Sequence, residues 1–346
     1  MLGTIQTEER VLRRNTSTLR PLARFIGVRA GGSTKNLQRA VVDFGAEDSF
    51  AQASERLLRH HGVLLCTSSV RKITLEHARR IEANQRAIGG QGALPRTGAE
   101  TIIAEIDGTM LPIVETSKTK DRNARKNRRC HWKETRLSAA RVHGQSSARY
   151  AVSAGAESVQ QAGYDWAQAV AKAGWGLNTW LHIVCDGAPW IYLQYLMLLG
   201  ERSSFLLDFY HVCDYLAAAC ATAGTHKRWL EVQKQRLKSG HPQRVLKALK
   251  PHIEADCIAE EQAPVRAAYR YIENHINQLE YKSAIEKDLP IGSGLIEAGH
   301  RHVLQKRLKI SGAWWTEQNI HSMAQLRVCR ANQEEDSYWD NLKAAA

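Results

Sequence analysis

Three carboxylates stand at places where an acidic side chain is costly unless chemistry uses it. Asp107 interrupts Thr101-Ile-Ile-Ala-Glu-Ile-Asp-Gly-Thr-Met-Leu-Pro-Ile-Val114, an apolar, β-branched run suited to a strand buried on both faces at the centre of a sheet. A charge embedded there costs free energy unless a cation offsets it. Asp107 is therefore either a metal ligand on a central strand, with Gly108-Thr109 bending into the next strand, or the start of an Asp-Gly hairpin turn. Trp180-Leu-His-Ile-Val-Cys-Asp186-Gly-Ala-Pro-Trp-Ile191 repeats the arrangement, with Pro189 near the first turn of a helix. Ligands of open α/β sheets collect at the carboxyl ends of strands; the other role for Asp186 is to cap that helix. Glu297 lies early in a helix opened by Gly292-Ser293-Gly294, and either serves a ligand or forms a surface pair with Arg301. Asp208 and His211, which follow a third strand (205–209), read as a buried ion pair shaping the site.

Taken together, Asp107, Asp186 and Glu297 suit two Mg²⁺ or Mn²⁺ ions, hard cations that prefer carboxylate oxygens and keep positions open for phosphate. Two such ions roughly 3.5–4 Å apart activate an attacking water or hydroxyl and stabilise the leaving oxygen of a phosphoryl displacement. No side-chain nucleophile is required.

The elements that must position these groups follow from hydrophobic spacing. Strand 132–142 completes an antiparallel meander of three strands from 101 to 142, and 164–173 is an amphipathic helix. Residues 224–289 show no strand pattern; helices over 228–237, 242–249 and 264–284 make this stretch an all-helical insertion. Residues 1–95 form a helical region with helices over 19–26, 48–60 and 67–81. The last two, around Gly62, are either a helix-turn-helix bearing Arg71 and Lys72 or a hairpin packed on the next domain. A Gly-rich linker at 89–95 leads into residues 96–223, the first part of an α/β domain that 290–346 completes with helices.

Composition narrows the partners. The 346 residues exceed one ordinary domain, and 43% apolar content is ample for a core. No apolar run reaches the roughly 18–20 residues of a membrane span, and no secretory signal opens the chain, so a cytoplasmic, nucleoid-associated protein is expected. Seven cysteines without a Cys-x-x-Cys pair exclude a disulfide framework and a ribbon-type zinc site. A net charge of +13 points to a polyanion. Lys118, Lys120, Arg122, Arg125, Lys126, Arg128 and Arg129 form a charged loop suited to phosphate contact. Arg301, Lys306, Arg307 and Lys309 make the Glu297 helix basic, and Trp314 and Trp315 are either core residues or base-stacking platforms.

Glu105-Ile-Asp107-Gly-Thr-Met, Cys185-Asp186-Gly-Ala-Pro-Trp-Ile, Asp208-Phe-Tyr-His211, Ile291-Gly-Ser-Gly-Leu-Ile-Glu297-Ala-Gly-His-Arg and Arg307-Leu-Lys-Ile-Ser-Gly-Ala-Trp-Trp315 together resemble the signatures of bacterial insertion-sequence transposases. The group is the RNase H-like Asp-Asp-Glu superfamily, nearest the Kra type and more loosely the mutator-like transposases. The resemblance spans about residues 45–333. It implies an α/β fold with an RNase H-like mixed sheet flanked by helices, Asp107, Asp186 and Glu297 as holders of two catalytic Mg²⁺ or Mn²⁺ ions, and Asp208 and His211 as an Asp-x-x-His signature. It further implies double-stranded DNA as partner, cleavage at element ends with strand transfer, and a homodimer or higher oligomer on DNA. Similar proteins commonly carry N-terminal cysteine pairs suggestive of zinc, which this sequence lacks. A structure-selective nuclease and a non-catalytic DNA-binding protein derived from a transposase remain as alternatives.

Overall fold

The apolar run around Asp107 folds into a single strand of 16 residues, β1 (Thr101–Thr116). The structure is a computed structural model that describes residues 8–14, 17–25, 32–88, 93–117, 127–154, 158–224 and 226–342. β2 (Arg128–Val142) runs antiparallel to β1 over its whole length, from Ile102 opposite Val142 to Thr116 opposite Arg128. β3 (Ala148–Ala154) is antiparallel to β2. On the other side of β1, β4 (Trp180–Cys185) lies parallel, and β5 (Ser203–Leu207) lies parallel to β4. The order β3-β2-β1-β4-β5, antiparallel on one side of β1 and parallel on the other, is the α/β, RNase H-like mixed sheet.

The expected bend at Gly108-Thr109 is absent, and so is the hairpin turn. The ladder to β2 continues through Asp107 opposite Leu137 and Gly108 opposite Arg136. A side chain on Gly108 would collide with the carboxylate of Glu134, so glycine serves close approach here, not a turn. The third antiparallel strand is β3, not a second half of β1. Pairing of β1 with β4 ends at Ala104–Ile183, and Trp315 covers part of the edge beyond: Val114 N–H donates to Trp315 O (2.7 Å) and Trp315 N–H to Pro112 O (3.2 Å). Pro112, with no N–H to give, sits on this sparsely paired edge.

Because strand side chains alternate, β1 serves two layers. Ile102, Ala104 and Ile106 face a core shared with Trp166, Val170 and Ile191 of α4 (Val159–Lys172) and α5 (Pro189–Leu198). On the opposite face Leu111 and Ile113 join a core holding Ile296, Val303, Leu304 and Leu308, Met323 and Val328 of α12 (Glu317–Ala331), and Val42, Leu75, Ala78 and Ile81. The last four belong to α1 (Lys35–Glu47) and α3 (Thr67–Ile88), so the N-terminal helices share a core with the sheet. α2 (Phe50–His61) and α3 meet around Gly62, whose φ of 65° suits glycine. α3 lies along α12, with Arg79 donating to Asn319 and Ser322 to Glu82.

α6 (Phe209–Thr222) follows β5, and its core is shared with the helices after it: α7 (Lys227–Lys238), α8 (Pro242–Leu249), α9 (Pro264–Asn274) and α10 (Tyr281–Glu286). The helix expected over 264–284 stops at Asn274. His275 leaves the helical path, and its ring bridges the carbonyls of Tyr271 (2.7 Å) and Gly187 (3.2 Å). α11 (Gly294–Gly299) passes into a π-helical stretch, His300–Gln305, and a last turn to Leu308. Among the described residues no helix is long and apolar enough to cross a membrane.

Candidate active site

The face of β1 that carries Glu105, Asp107 and Thr109 is read, residue by residue, by the helix that begins at Gly294. Ile296 N–H donates to Glu105 Oε2 (2.7 Å). His300 Nε2 stands 3.3 Å from Asp107 Oδ2. Gln305 and Lys309 donate to Thr109 Oγ1 at 3.3 and 3.2 Å. Strand period two and the helical rise together align these contacts, so Glu297 sits within a turn of the residue that touches Asp107.

Asp107 and Asp186 are neighbours across the sheet. Ala104 opposes Ile183 on parallel strands, and three residues beyond each stand the two aspartates, Asp107 within β1 and Asp186 just past the end of β4. Asp107 is about half exposed (43%) and accepts from Gly108 N–H (2.7 Å). Asp186 accepts from Ala188 N–H (3.1 Å), an Asx-type contact; the cap position of α5 is Ala188, so Asp186 does not cap that helix. Burial pushes the Asp186 carboxyl above the usual carboxylate range; the Ala188 N–H opposes this, Asp107 adds to it, and the charges of His211 and Asp208 act in opposite senses. A carboxylate held this way favours the arrival of positive charge.

Asp208 and His211 do not form the expected ion pair. Asp208 is buried (4% exposed) and caps α6, its Oδ1 accepting from the N–H groups of Tyr210 (2.6 Å) and His211 (3.1 Å). Its Oδ2 accepts from Ser293 N–H (2.8 Å) and from the Ser293 hydroxyl. Both oxygens are consumed by N–H and O–H donors, and the imidazole of His211 is exposed beside Tyr215 and Tyr271. The Gly-Ser-Gly stretch has its reason here. A side chain on Gly292 would strike the Tyr210 ring, and Ser293, at the cap position of α11, makes no side-chain cap and binds Asp208 instead. On the Asp186 loop, Gly187 is packed against His275, and its N–H donates to Tyr271 (3.3 Å).

Two groups carry signals that sequence reasoning passed over. Glu105 is buried (1% exposed); burial raises its carboxyl to about 8, against the Ile296 N–H and with the push of Asp208. Its place two residues before Asp107 puts it on the same strand face. His300 is buried (5% exposed), and neither ring nitrogen has a hydrogen-bond partner. Its signal was the spacing of three from Glu297 on one helical face.

Glu297 itself is exposed. Among the described residues, no three His, Cys, Asp or Glu side chains are gathered closely enough to hold a metal ion. The structure thus places His300 against Asp107 and Asp107 near enough to Asp186 to act on its carboxyl, and leaves Glu297 exposed on the helix that carries His300, outside any closed ligand set.

Of the expected DNA contacts, Lys118, Lys120, Arg122, Arg125 and Lys126 lie outside the described residues. Arg128, Arg129, Arg301 and Lys306 are exposed, Lys306 paired with Glu47 at 2.8 Å. Two expectations are corrected. Arg307 is buried (2%), its guanidinium over the rings of Phe50 and Trp315 and its Nε donating to Gly45 O (3.0 Å), so it cannot reach a phosphate. Trp315 is buried (6%), with its indole N–H on Leu308 O (3.1 Å), and offers no face for stacking. Trp314 is exposed and tilted against the exposed Trp132 at 6.1 Å, and Lys309 stands over Trp132.

Residues 32–339 match a family described as Uncharacterised protein family (UPF0236). A search of the curated proteins finds no match. Among solved structures, the Drosophila P element transposase strand transfer complex overlaps 91% of this chain and 82% of its own, at 10% identity and a TM-score of 0.29. The crystal structure of NurA with manganese overlaps 80% of this chain and 65% of its own, at 13% identity and a TM-score of 0.14. Overlaps this loose say nothing about what this chain does.

Proposed function

The chain belongs to this uncharacterised family, whose description assigns no chemistry, and from its site we propose that it is a DNA transposase that cleaves phosphodiester bonds at element ends and joins the freed 3′ hydroxyl to target DNA. The observation that carries the reading is the placing of Asp107 on β1 and Asp186 just past the end of its parallel neighbour β4, each three residues beyond the last paired residues Ala104 and Ile183, with the Glu297 helix bonded to the same face of β1 through Glu105. The donor chemistry, hard carboxylate oxygens, is of the kind a divalent ion takes, but as they stand no three acidic or histidine side chains among the described residues are gathered to hold one. Asp107 and Asp186 would hold Mg²⁺ or Mn²⁺, with Glu297 closing the set from the helix. When bound, two such ions supply charge for the attacking and leaving oxygens.

The protein's own part is positioning. Asp208 ties the start of the Glu297 helix to α6, Glu105 receives the Ile296 N–H, and Thr109 anchors the helix further on through Gln305 and Lys309. The exposed Arg128, Arg129 and Arg301 carry the positive charge that meets the DNA backbone. Pairing two element ends favours at least a dimer.

A second reading, a non-catalytic DNA-binding protein, is favoured by one observation: Glu297 is exposed and the three carboxylates are not gathered. Purified protein with Mg²⁺ and DNA carrying the element ends separates the two. Strand cleavage and joining are expected, with Asp107→Asn, Asp186→Asn and Glu297→Gln each lowering the rate at least about 10³-fold. Salt-sensitive DNA binding with no metal-dependent cutting would support the second reading, and cutting without joining would identify a nuclease.

A further inference from the structure

Beyond Thr109 and Thr135, β1 and β2 run on as a two-stranded ribbon. β3 pairs with β2 only as far as Thr135 opposite Ala154, and β4 leaves β1 at Ala104, while the β1–β2 ladder continues to Thr116 opposite Arg128. One side of the ribbon is covered, because Leu111 and Ile113 join the core shared with α11 and α12. The alternate residues lie on the other side, where Pro112 stands opposite Trp132. Met110 and Trp132 are exposed, Trp132 at 53%, and Trp314 is exposed beside Trp132 at 42%.

The two indoles do not satisfy each other. Their ring centroids are 6.1 Å apart and their planes are inclined at 60°, so each keeps an open face. The rim around them is basic. Lys309 Nζ stands 5.9 Å from the centre of the Trp132 ring, and the exposed Arg128 and Arg129 precede Trp132 on the same strand. The acids nearest the pair in the chain are already neutralised: Glu134 by Arg136 (2.7 Å) and Glu317 by Lys133. Lys309 also donates to Thr109 Oγ1 (3.2 Å), two residues from Asp107. From Asp107 to Pro112 is five residues of strand, roughly 17 Å.

Open aromatic faces ringed by cations match a nucleic-acid strand whose bases are unstacked: the cations meet phosphates, and every base has a face to offer whatever the sequence. A closed duplex keeps its bases stacked on one another and presents only edges and backbone. We propose that Trp132 and Trp314 form a stacking platform for the unpaired bases of a DNA strand, with Lys309, Arg128 and Arg129 on its phosphates. The inference rests on the proposed function for the source of such a strand, an opened element end, and adds where its bases are held.

The test is binding of the full chain, without divalent metal, to a labelled oligothymidylate and to a blunt duplex of equal length. Wild-type protein is expected to bind the single strand with quenching of its tryptophan fluorescence. Trp132→Ala and Trp314→Ala are each expected to weaken that binding at least about fivefold and to reduce the quenching, while duplex affinity, which also reports intact folding, stays within about twofold. Trp132→Phe, which keeps a ring, is expected to retain most of the single-strand affinity. A wild-type protein that binds no single strand, or Ala variants that bind it as well as wild type or lose both DNAs equally, would overturn the platform. Tryptophan-dependent strand binding in a protein that cuts no DNA with Mg²⁺ would support the platform and overturn the proposed function alone.

Discussion

At the scale of single residues, the site is built from acids in unfavourable surroundings. Burial holds Asp186 above the ordinary carboxylate range, so at neutral pH its ionised form costs stability that function must recoup. Asp186→Asn keeps the acceptor for Ala188 N–H and removes the charge. Thermal melts of metal-free protein should show a higher Tm for this variant although its activity is lost. Glu105 gives the clearer pH signature. Its folded carboxyl sits at about 8, above the unfolded value, so its contribution to stability is fully present in acid and is lost as pH rises from about 4.5 through 8. Glu105→Gln, which stays neutral and can still accept from Ile296 N–H, should gain in Tm over the wild type between pH 5 and 9. Equal pH profiles for the two proteins would contradict a buried, protonated Glu105.

At the scale of elements, the same residues decide what the sequence alone revealed. The runs at 102–106, 181–185 and 205–207 were legible as strands because apolar, largely β-branched and aromatic residues dominate them, with only Glu105 and His182 interrupting. The length of β1 was not. Asp107-Gly108 carries a turn signal, and only the unbroken ladder to β2, with Glu134 lying over Gly108, overrules it. Asp186 was readable from a strand end and Asp107 from a carboxylate set in an apolar run, whereas the contact of His300 with Asp107 joins positions nearly two hundred residues apart and leaves no local pattern. Asp208 likewise reads locally as half of an Asp-x-x-His pair, while its second oxygen is spoken for by Ser293. Asp208→Ala should therefore cost roughly 2–3 kcal/mol in a denaturant titration, the sum of a lost cap and lost charged hydrogen bonds. It should also slow cleavage by loosening the Glu297 helix. α3 offers a second handle. His77 is buried between Tyr338 and Gln38, and burial, with the charge of Arg80, lowers its pKa to about 4. Its contribution is present above about 6.5 and lost as pH falls through 4, so acid melting should be less steep in His77→Gln than in the wild type.

At the scale of the whole molecule, the net charge of +13 and the exposed Arg128 and Arg129 at the start of β2 make association with DNA an electrolyte problem. Each phosphate contact steepens the fall of affinity with salt. Replacing both arginines by alanine should flatten the slope of log affinity against log salt by about 2. Arg307→Ala should leave the slope unchanged and instead lower Tm, because that guanidinium is buried over Phe50 and Trp315. The N-terminal helices, sharing a core with the sheet, brace the helix that carries Glu297 as well as adding surface. The account as a whole turns on whether Asp107 of β1, Asp186 after β4 and Glu297 of α11 surround one metal site. Iron-directed cleavage asks this directly: Fe²⁺ replaces the native ion, ascorbate and peroxide generate radicals at the metal, and mass spectrometry maps the backbone breaks. Breaks beside 107, 186 and 297–300, all suppressed by excess Mg²⁺ or Mn²⁺, are the expected result; breaks confined to one of these segments, or falling elsewhere, would contradict it.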